Sequence, residues 1–293
     1  MKKHAYLIIA HNHFDQLQTL LELIDDERND IYLHVDRKAK EFNASQLYVK
    51  YSSLTLVDRL SISWGGHSLV WCELNLLKAA VPKHYEYYHL LSGNDLPLKS
   101  QDEIHAFFDK NGSRDYIGFD ISANESKNFM YRVRYFHFLR NLITQPQPTQ
   151  FWEKLLNRLE GYSLKIQQLL KVKRKEHFPL YKGDQWFSIT DELAKFIVLQ
   201  SKTIKKQFRF SACSDELLVQ SMVMHPQYQH KKRLAKNCLR AIDWNRSNGM
   251  SPYTYRAEDV ATLLASPSLW ARKFDQCIDA KAIELVSKHL KSK

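Results

Sequence analysis

The sequence predicts an α/β fold built on a largely parallel sheet. Three observations carry this prediction. Short apolar runs of strand length recur between Tyr6 and Phe119, amphipathic helical patterns separate them, and most runs end on polar residues. Strands that alternate with helices pair in parallel, because each crossover helix returns the chain to the same edge of the sheet. Sheets of this kind take their ligands at the carboxyl ends of the strands.

In chain order, Tyr6 to Ala10, Ile31 to Val35, Leu54 to Val57 and Tyr87 to Leu91 read as strands, rich in Ile, Val, Leu and Tyr. Phe14, Leu17, Leu20, Leu21 and Ile24 form a helical stripe after the first run. Leu69, Val70, Leu74 and Leu77 form another before the fourth. Ser100-Gln101-Asp102-Glu103 is a capping box that opens a helix burying Ile104, Phe107 and Phe108. Asp115 to Phe119 is a further strand. His11, Asp36, Asp58 and Ser92-Gly93-Asn94-Asp95 stand at strand ends, where a ligand is expected.

The middle changes character. Tyr131-Arg132-Val133-Arg134-Tyr135 alternates aromatic and basic residues, and Gln145-Pro146-Gln147-Pro148 breaks the chain. Trp152, Leu155, Leu156 and Leu159 mark an amphipathic helix. Gly161 interrupts it, Ile166, Leu169 and Leu170 continue it, and four of the five residues from Lys171 to Lys175 are basic. Neither a repeat nor a linker appears, so residues 1–293 are expected to form one domain with a helical excursion at about 123–180. Beyond it, Gln185 to Ile189 reads as a strand and Thr190 as the cap of a helix carrying Leu193, Phe196 and Ile197. Ser214 is expected to cap a helix that His225-Pro226 ends. Ser266-Pro267 is expected to open one of the last helices.

Composition bounds the function. Lys and Arg total 43 and Asp and Glu 32, a net charge of +11, with 44% apolar and 12% aromatic residues. A chain of this length and apolar content buries a core without disulfide or metal staples, which excludes disordered and low-complexity classes. The apolar run Ala5 to Ala10 is too short for a signal-peptide core, and no stretch approaches the roughly 20 apolar residues of a membrane span. Four scattered cysteines without a Cys-x-x-Cys pair read as reduced, mostly buried thiols, so a cytoplasmic protein is expected. The positive charge suits nucleic acid, an anionic membrane surface or a phosphate-bearing small molecule.

Candidate chemistry is sparse. No glycine-rich phosphate loop occurs, and the chain has only eight glycines, so side chains must neutralise any bound diphosphate. Asp-x-Asp is absent. His11-Asn12-His13 and His34-Val35-Asp36 place pairs on one strand face, but neither has an evident third ligand, and no metal is expected. Glu216, in Cys213-Ser214-Asp215-Glu216, stands in the first turn of a predicted helix, as a general base or as ordinary N-terminal acid. Arg272-Lys273, beside Trp270 and Phe274, suits a diphosphate clamp or a solvated helix face. Trp64-Gly65-Gly66-His67 is a binding platform or a tight turn.

Five segments, taken in order, resemble glycosyltransferase family 14, the core-2/I-branching N-acetylglucosaminyltransferases and peptide O-xylosyltransferases. They are Ile31-Tyr32-Leu33-His34-Val35-Asp36, Trp64-Gly65-Gly66-His67-Ser68-Leu69-Val70, residues 89–98 (HLLSGNDLPL), Gly183-Asp184-Gln185-Trp186-Phe187 with Ser214-Asp215-Glu216, and Trp270-Ala271-Arg272-Lys273-Phe274-Asp275. The resemblance covers roughly residues 4 to 280. It implies a GT-A-like mixed sheet flanked by helices and an inverting, metal-independent transfer from a UDP-sugar to a saccharide or glycolipid hydroxyl. Glu216 matches the base. His34, Val35, Asp36, Asp58, Ser251, Arg256, Arg272 and Lys273 match the donor side. Trp64, Asp95, Gln185 and Trp186 match the acceptor and sugar cleft.

Two departures matter. The xylosyltransferases carry an acid where this chain has Gln185, which leans away from xylosyl transfer to peptide. An arginine of the branching enzymes falls at Met250, with Arg256 or Arg246 as substitutes. Without the membrane anchor and many cysteines of lumenal members, the chain reads as a soluble bacterial enzyme of surface polysaccharide or lipopolysaccharide synthesis. It needs no cofactor on this reading. Its place is the cytoplasm, with peripheral contact to anionic membrane at the inner face through Trp152 to Leu170 and Lys171 to Lys175, or else with that helix packed on the main domain. The alternative is a basic nucleic-acid-binding protein, supported by Tyr131 to Arg140 and by no helix-turn-helix, RNP or zinc pattern.

Overall fold

The computed structural model describes residues 3–143, 150–247, 249 and 251–293. The Gln145-Pro146-Gln147-Pro148 break and Met250 therefore lie outside the described residues. The described strands are β1 (His4–Ala10), β2 (Asn29–Val35), β3 (Ser53–Leu56), β4 (Tyr87–Ser92), β5 (Asp95–Pro97), β6 (Asp115–Ile117), β7 (Phe187–Thr190), β8 (Leu234–Ala235), β9 (Arg240–Ile242) and β10 (Trp270–Arg272).

Seven of them form one sheet in the order β3-β2-β1-β4-β7-β6-β8. β3, β2, β1 and β4 run parallel, as expected. β7 departs from that pattern and is antiparallel to both β4 and β6. The reason is topological. Residues 118–186 leave from the carboxyl end of β6 and re-enter at the same edge, so the strand that follows must run back. The helical excursion thus stands at the ligand-binding edge of the sheet. A second sheet, β5-β10-β9, lies beside it.

Alternation along β1 sends Tyr6 and Ile8 to one face and Ala5 and Leu7 to the other, and all four are fully buried. On the first face they meet Leu20, Leu33, Phe108 and Trp270; on the second, residues such as Leu74, Leu90, Leu218 and Met222. Helices Phe14–Ile24 and Gln276–Lys291 cover the first face. Ser68–Ala80, Asp191–Leu199 and Asp215–Val223 cover the second. The Ser100 capping box forms as read, with Ser100 Oγ accepting from the Glu103 amide. Ala123, Phe129, Val133, Phe178 and Leu180 tie the excursion into the core of the second face.

Local expectations fail at four points. Helix Phe151–Leu169 runs straight through Gly161, where a Cβ would meet nothing within 4 Å; a single glycine costs a helix only about 1 kcal/mol. Thr190 does not cap with its side chain, because its hydroxyl donates to Asp115 Oδ1 at 2.9 Å. Ser214 precedes its helix without a side-chain cap, and its Oγ is buried without a partner. Ser266 ends the helix Val260–Ala265, and the chain runs from there into β10. Arg272 and Lys273 consequently stand at a strand end, which removes the helix-face alternative. All four cysteines are free; Cys72 and Cys238 are buried, Cys213 is half-buried and Cys277 exposed.

Candidate active site

The carboxyl ends of β1 and β2 bring His11 and Asp36 close to Arg272 and Lys273, which follow Trp270 and Ala271 at the end of β10. Desolvation and the Arg272 charge lower the His11 pKa, Asp36 pulls the other way, and Lys273 adds to the lowering. Asp36 is buried, and its Oδ1 accepts from the Lys38 amide at 2.9 Å. Arg272 is held on two sides. It donates to Asp95 Oδ1 at 2.8 Å, and its guanidinium lies 4.4 Å from the centroid of the Trp186 ring. Lys273 has no ion pair among the described residues, and desolvation followed by the Arg272 charge lowers its pKa. The result is one anchored and one unengaged cation at the edge of a parallel sheet, the charge pattern a leaving diphosphate needs.

Glu216 lies in the first turn of helix Asp215–Val223 and is about one-third exposed. Arg132 donates to its Oε2 at 2.6 Å, and Lys182 Nζ is 3.8 Å from the same atom. Oε1 has no protein hydrogen bond among the described residues, so a substrate hydroxyl has an acceptor atom to meet. The backbone carbonyl of Glu216 accepts from the Gly183 amide at 3.0 Å. This crossing needs glycine, since a Cβ on Gly183 would come within 1.9 Å of the Gly118 carbonyl oxygen. Gly183→Ala is expected to cost about 1 to 3 kcal/mol by overpacking and to reduce activity by displacing Glu216. Thermal unfolding and turnover check this; an unchanged melting point would contradict the close approach.

The two ends are joined through Gln185 and Trp186. Trp186 carries Arg272, and Gln185 Nε2 donates to Glu73 Oε1 at 2.8 Å. Glu73 lies fully buried, and burial followed by the charge of Asp215 drives its pKa well above the carboxylate range. Burial likewise pushes Asp215 up to about 7, with Glu216 adding to it. On the other flank, Gly65 approaches Cys213: the Cys213 amide donates to the Gly65 carbonyl at 2.8 Å. Gly65 has φ +64°, a conformation that suits glycine. Trp64, 41% exposed, is thereby held beside the Cys213-Ser214-Asp215-Glu216 segment, with Arg140 over its ring at 5.2 Å and donating to its carbonyl at 2.7 Å.

Several expected site residues stand elsewhere or act otherwise. His34 is completely buried; its Nε2 accepts from the Leu60 amide at 2.8 Å, and burial lowers its pKa to about 4. It shapes the loop beside Asp36. Val35 is core. Asp95 is fully buried beneath Arg272, so it anchors the cation and does not line an open acceptor cleft. Asp58 and Ser251 are on the surface. Arg246 is held by Asp243 at 2.6 Å and Asp259 at 2.8 Å. Arg256 is exposed, one residue past Tyr255, whose amide donates to the Lys273 carbonyl at 2.9 Å.

Arg132, Lys182 and Arg140 were not singled out from the sequence as site residues. The alternation at 131–135 did flag Arg132, but as a nucleic-acid contact. Its pairing with Glu216 and the burial of Val133 break up that surface.

The model of the family described as Core-2/I-Branching enzyme matches residues 4–264. Human xylosyltransferase 2 is similar at 21% identity over 311 residues, 98% of this chain and 33% of that protein. The human beta-1,3-galactosyl-O-glycosyl-glycoprotein beta-1,6-N-acetylglucosaminyltransferase is similar at 24% identity over 324 residues, 99% of this chain and 70% of that one. The chain thus spans about a third of the length of the xylosyltransferases it matches. Among solved structures, mouse xyloside xylosyltransferase 1 in its apo form aligns with 92% of this chain and 97% of that one, at 10% identity and a TM-score of 0.35. No helix among the described residues is long and apolar enough to cross a membrane. With the match covering most of its length, the chain belongs to the core-2/I-branching enzyme family.

Proposed function

We propose that this protein is an inverting, metal-independent glycosyltransferase that moves a sugar from a UDP-sugar to a saccharide hydroxyl. The observation that carries the reading is the pair of cations at the sheet edge, Arg272 anchored and Lys273 unengaged, with Glu216 across Gln185 and Trp186. Glu216 takes the proton of the acceptor hydroxyl. The oxygen attacks the anomeric carbon from the face opposite the leaving group. The bond from that carbon to the phosphate oxygen breaks, and UDP departs with the electron pair. Arg272 and Lys273 meet the charge that develops on the diphosphate, in a partly desolvated site where fixed cations act most strongly. Asp36, at the end of β2, suits a contact to the nucleoside.

Trp64 offers an exposed aromatic face on the base side, as sugar rings use. Gln185, an amide held on Glu73, is not a second base, which favours Glu216 as the base and leans away from xylosyl transfer to peptide. The product would join a surface polysaccharide or lipopolysaccharide.

A panel of UDP-sugars with UDP release as the readout tests the class. UDP release is expected with one or two donors and to be unaffected by EDTA. Activity that vanishes with EDTA and returns with Mg²⁺ or Mn²⁺ would overturn the cation-pair mechanism.

A further inference from the structure

The helix Phe151–Leu169 is mounted the opposite way round from an ordinary surface helix. Its inward stripe is polar: Glu153, Glu160 and Gln167, seven residues apart, are 2, 5 and 7% exposed. Glu160 Oε2 accepts from the Leu139 amide at 3.0 Å, and Gln167 clasps the Phe136 backbone, accepting its amide at 2.7 Å and donating to its carbonyl at 2.9 Å. The apolar stripe points away. Trp152, Leu155, Leu159, Tyr162, Ile166 and Leu169 are between 46 and 82% exposed. Helical spacing puts them on one face, opposite the polar stripe. Water around six large side chains is unfavourable, and soluble surfaces rarely carry such a stripe without a partner.

The charges beside it name the partner. Lys154, Arg158 and Lys165 line one flank of the stripe, and Lys171, Lys173 and Lys175 continue past its end, all exposed. Both acids of the helix, Glu153 and Glu160, are turned inward, so its exposed face carries only positive charge. Arg174 is excluded from that count, since it is spent on the carbonyls of Tyr135, Phe210, Gln207 and Arg209. An apolar stripe flanked by lysine and arginine, with no exposed acid on the helix and an exposed one at Glu176 just past Lys175, is complementary to an anionic bilayer surface, where acyl chains take the apolar side chains and headgroups the cations.

We propose that this face of Phe151–Leu169 docks the protein onto anionic lipid, with the helix lying in the plane of the membrane. The polar stripe then serves as the attachment of the helix to the body. It grips residues 136–139, in the same segment as Arg132, which holds Glu216, and Arg140, whose guanidinium lies 5.2 Å from the Trp64 ring centroid. Docking would therefore present the base side of the cleft toward the bilayer, where an acceptor carried on a lipid is found. This last step rests on the glycosyltransferase reading; the docking itself does not.

The test is co-sedimentation with vesicles, without sugar donor, so that its outcome is independent of the reaction. The whole protein is expected to bind vesicles of mixed phosphatidylglycerol and phosphatidylcholine, and to bind pure phosphatidylcholine about tenfold less. Leu155→Glu with Ile166→Glu should lower binding to the anionic vesicles by about tenfold or more. Lys154→Glu with Lys165→Glu should do the same and remove the salt dependence. UDP binding and the melting point are expected to stay unchanged in both variants, since these side chains are exposed. Binding to neither vesicle, equal binding to both, or unaltered binding of the variants would overturn the proposal. So would a dimer, seen by light scattering, that dissociates in the Leu155/Ile166 variant, because the face would then belong to a second copy of the chain.

Discussion

Glu216→Gln is expected to lower turnover by about 10²- to 10⁴-fold, the loss typical of a missing general base, while UDP binds as before. The amide keeps the shape of the carboxylate and its place beside Arg132, which donates to Oε2 at 2.6 Å. It cannot take a proton from the acceptor. Isothermal titration with UDP and a turnover assay separate the two effects. Equal turnover would remove Glu216 from the reaction, and lost UDP binding would make it a donor contact. The substitution also leaves Arg132 without its charge partner in a half-buried setting, so a small loss of stability is expected beside the large loss of rate.

The second large effect concerns the cation pair, and the two members should fail differently. Lys273→Met is expected to lower kcat by about 10²- to 10³-fold, roughly 3 to 4 kcal/mol, the magnitude seen when one fixed group facing a developing anion is lost. It should leave the melting point unchanged or slightly higher, because Lys273 makes no ion pair among the described residues and is partly desolvated. Arg272→Met is expected to cost activity and stability together. It strands Asp95, which is fully buried and whose pKa burial already raises against the pull of Arg272. Breaking a buried pair from one side is strongly destabilising. The double variant Arg272→Met with Asp95→Asn should recover stability without activity. Equal loss of stability in the Lys273 and Arg272 single variants would contradict this division of labour.

Much of the frame was legible in the residues themselves. Tyr6 to Ala10, Ile31 to Val35 and Tyr87 to Leu91 became neighbouring strands because buried parallel strands demand near-continuous apolar runs. The Ser100 box formed because both of its hydrogen bonds are local. Glu216, Trp64 and Arg272-Lys273 were visible as candidates because their residue types and chain order resemble a family. The helix 151–169 was visible as a helix, but not its orientation, since periodicity shows that a polar and an apolar face exist and not which one the body will accept.

What the sequence by itself determined is the α/β class and the family; for proton and diphosphate chemistry it offered candidates. What only the tertiary structure decided is which of these groups are already engaged. Asp95 moved from the acceptor cleft to a buried anchor beneath Arg272, His34 from donor contact to loop support, and Arg132 from a basic stripe to the partner of Glu216. Arg272 meets Asp95, and Arg132 meets Glu216, across long stretches of chain that no local pattern can pair. The physical reason is range. Strand and helix preferences arise from near neighbours along the chain. A charge's partner, its desolvation and so its availability for chemistry depend on groups brought together only when the sheet edges close.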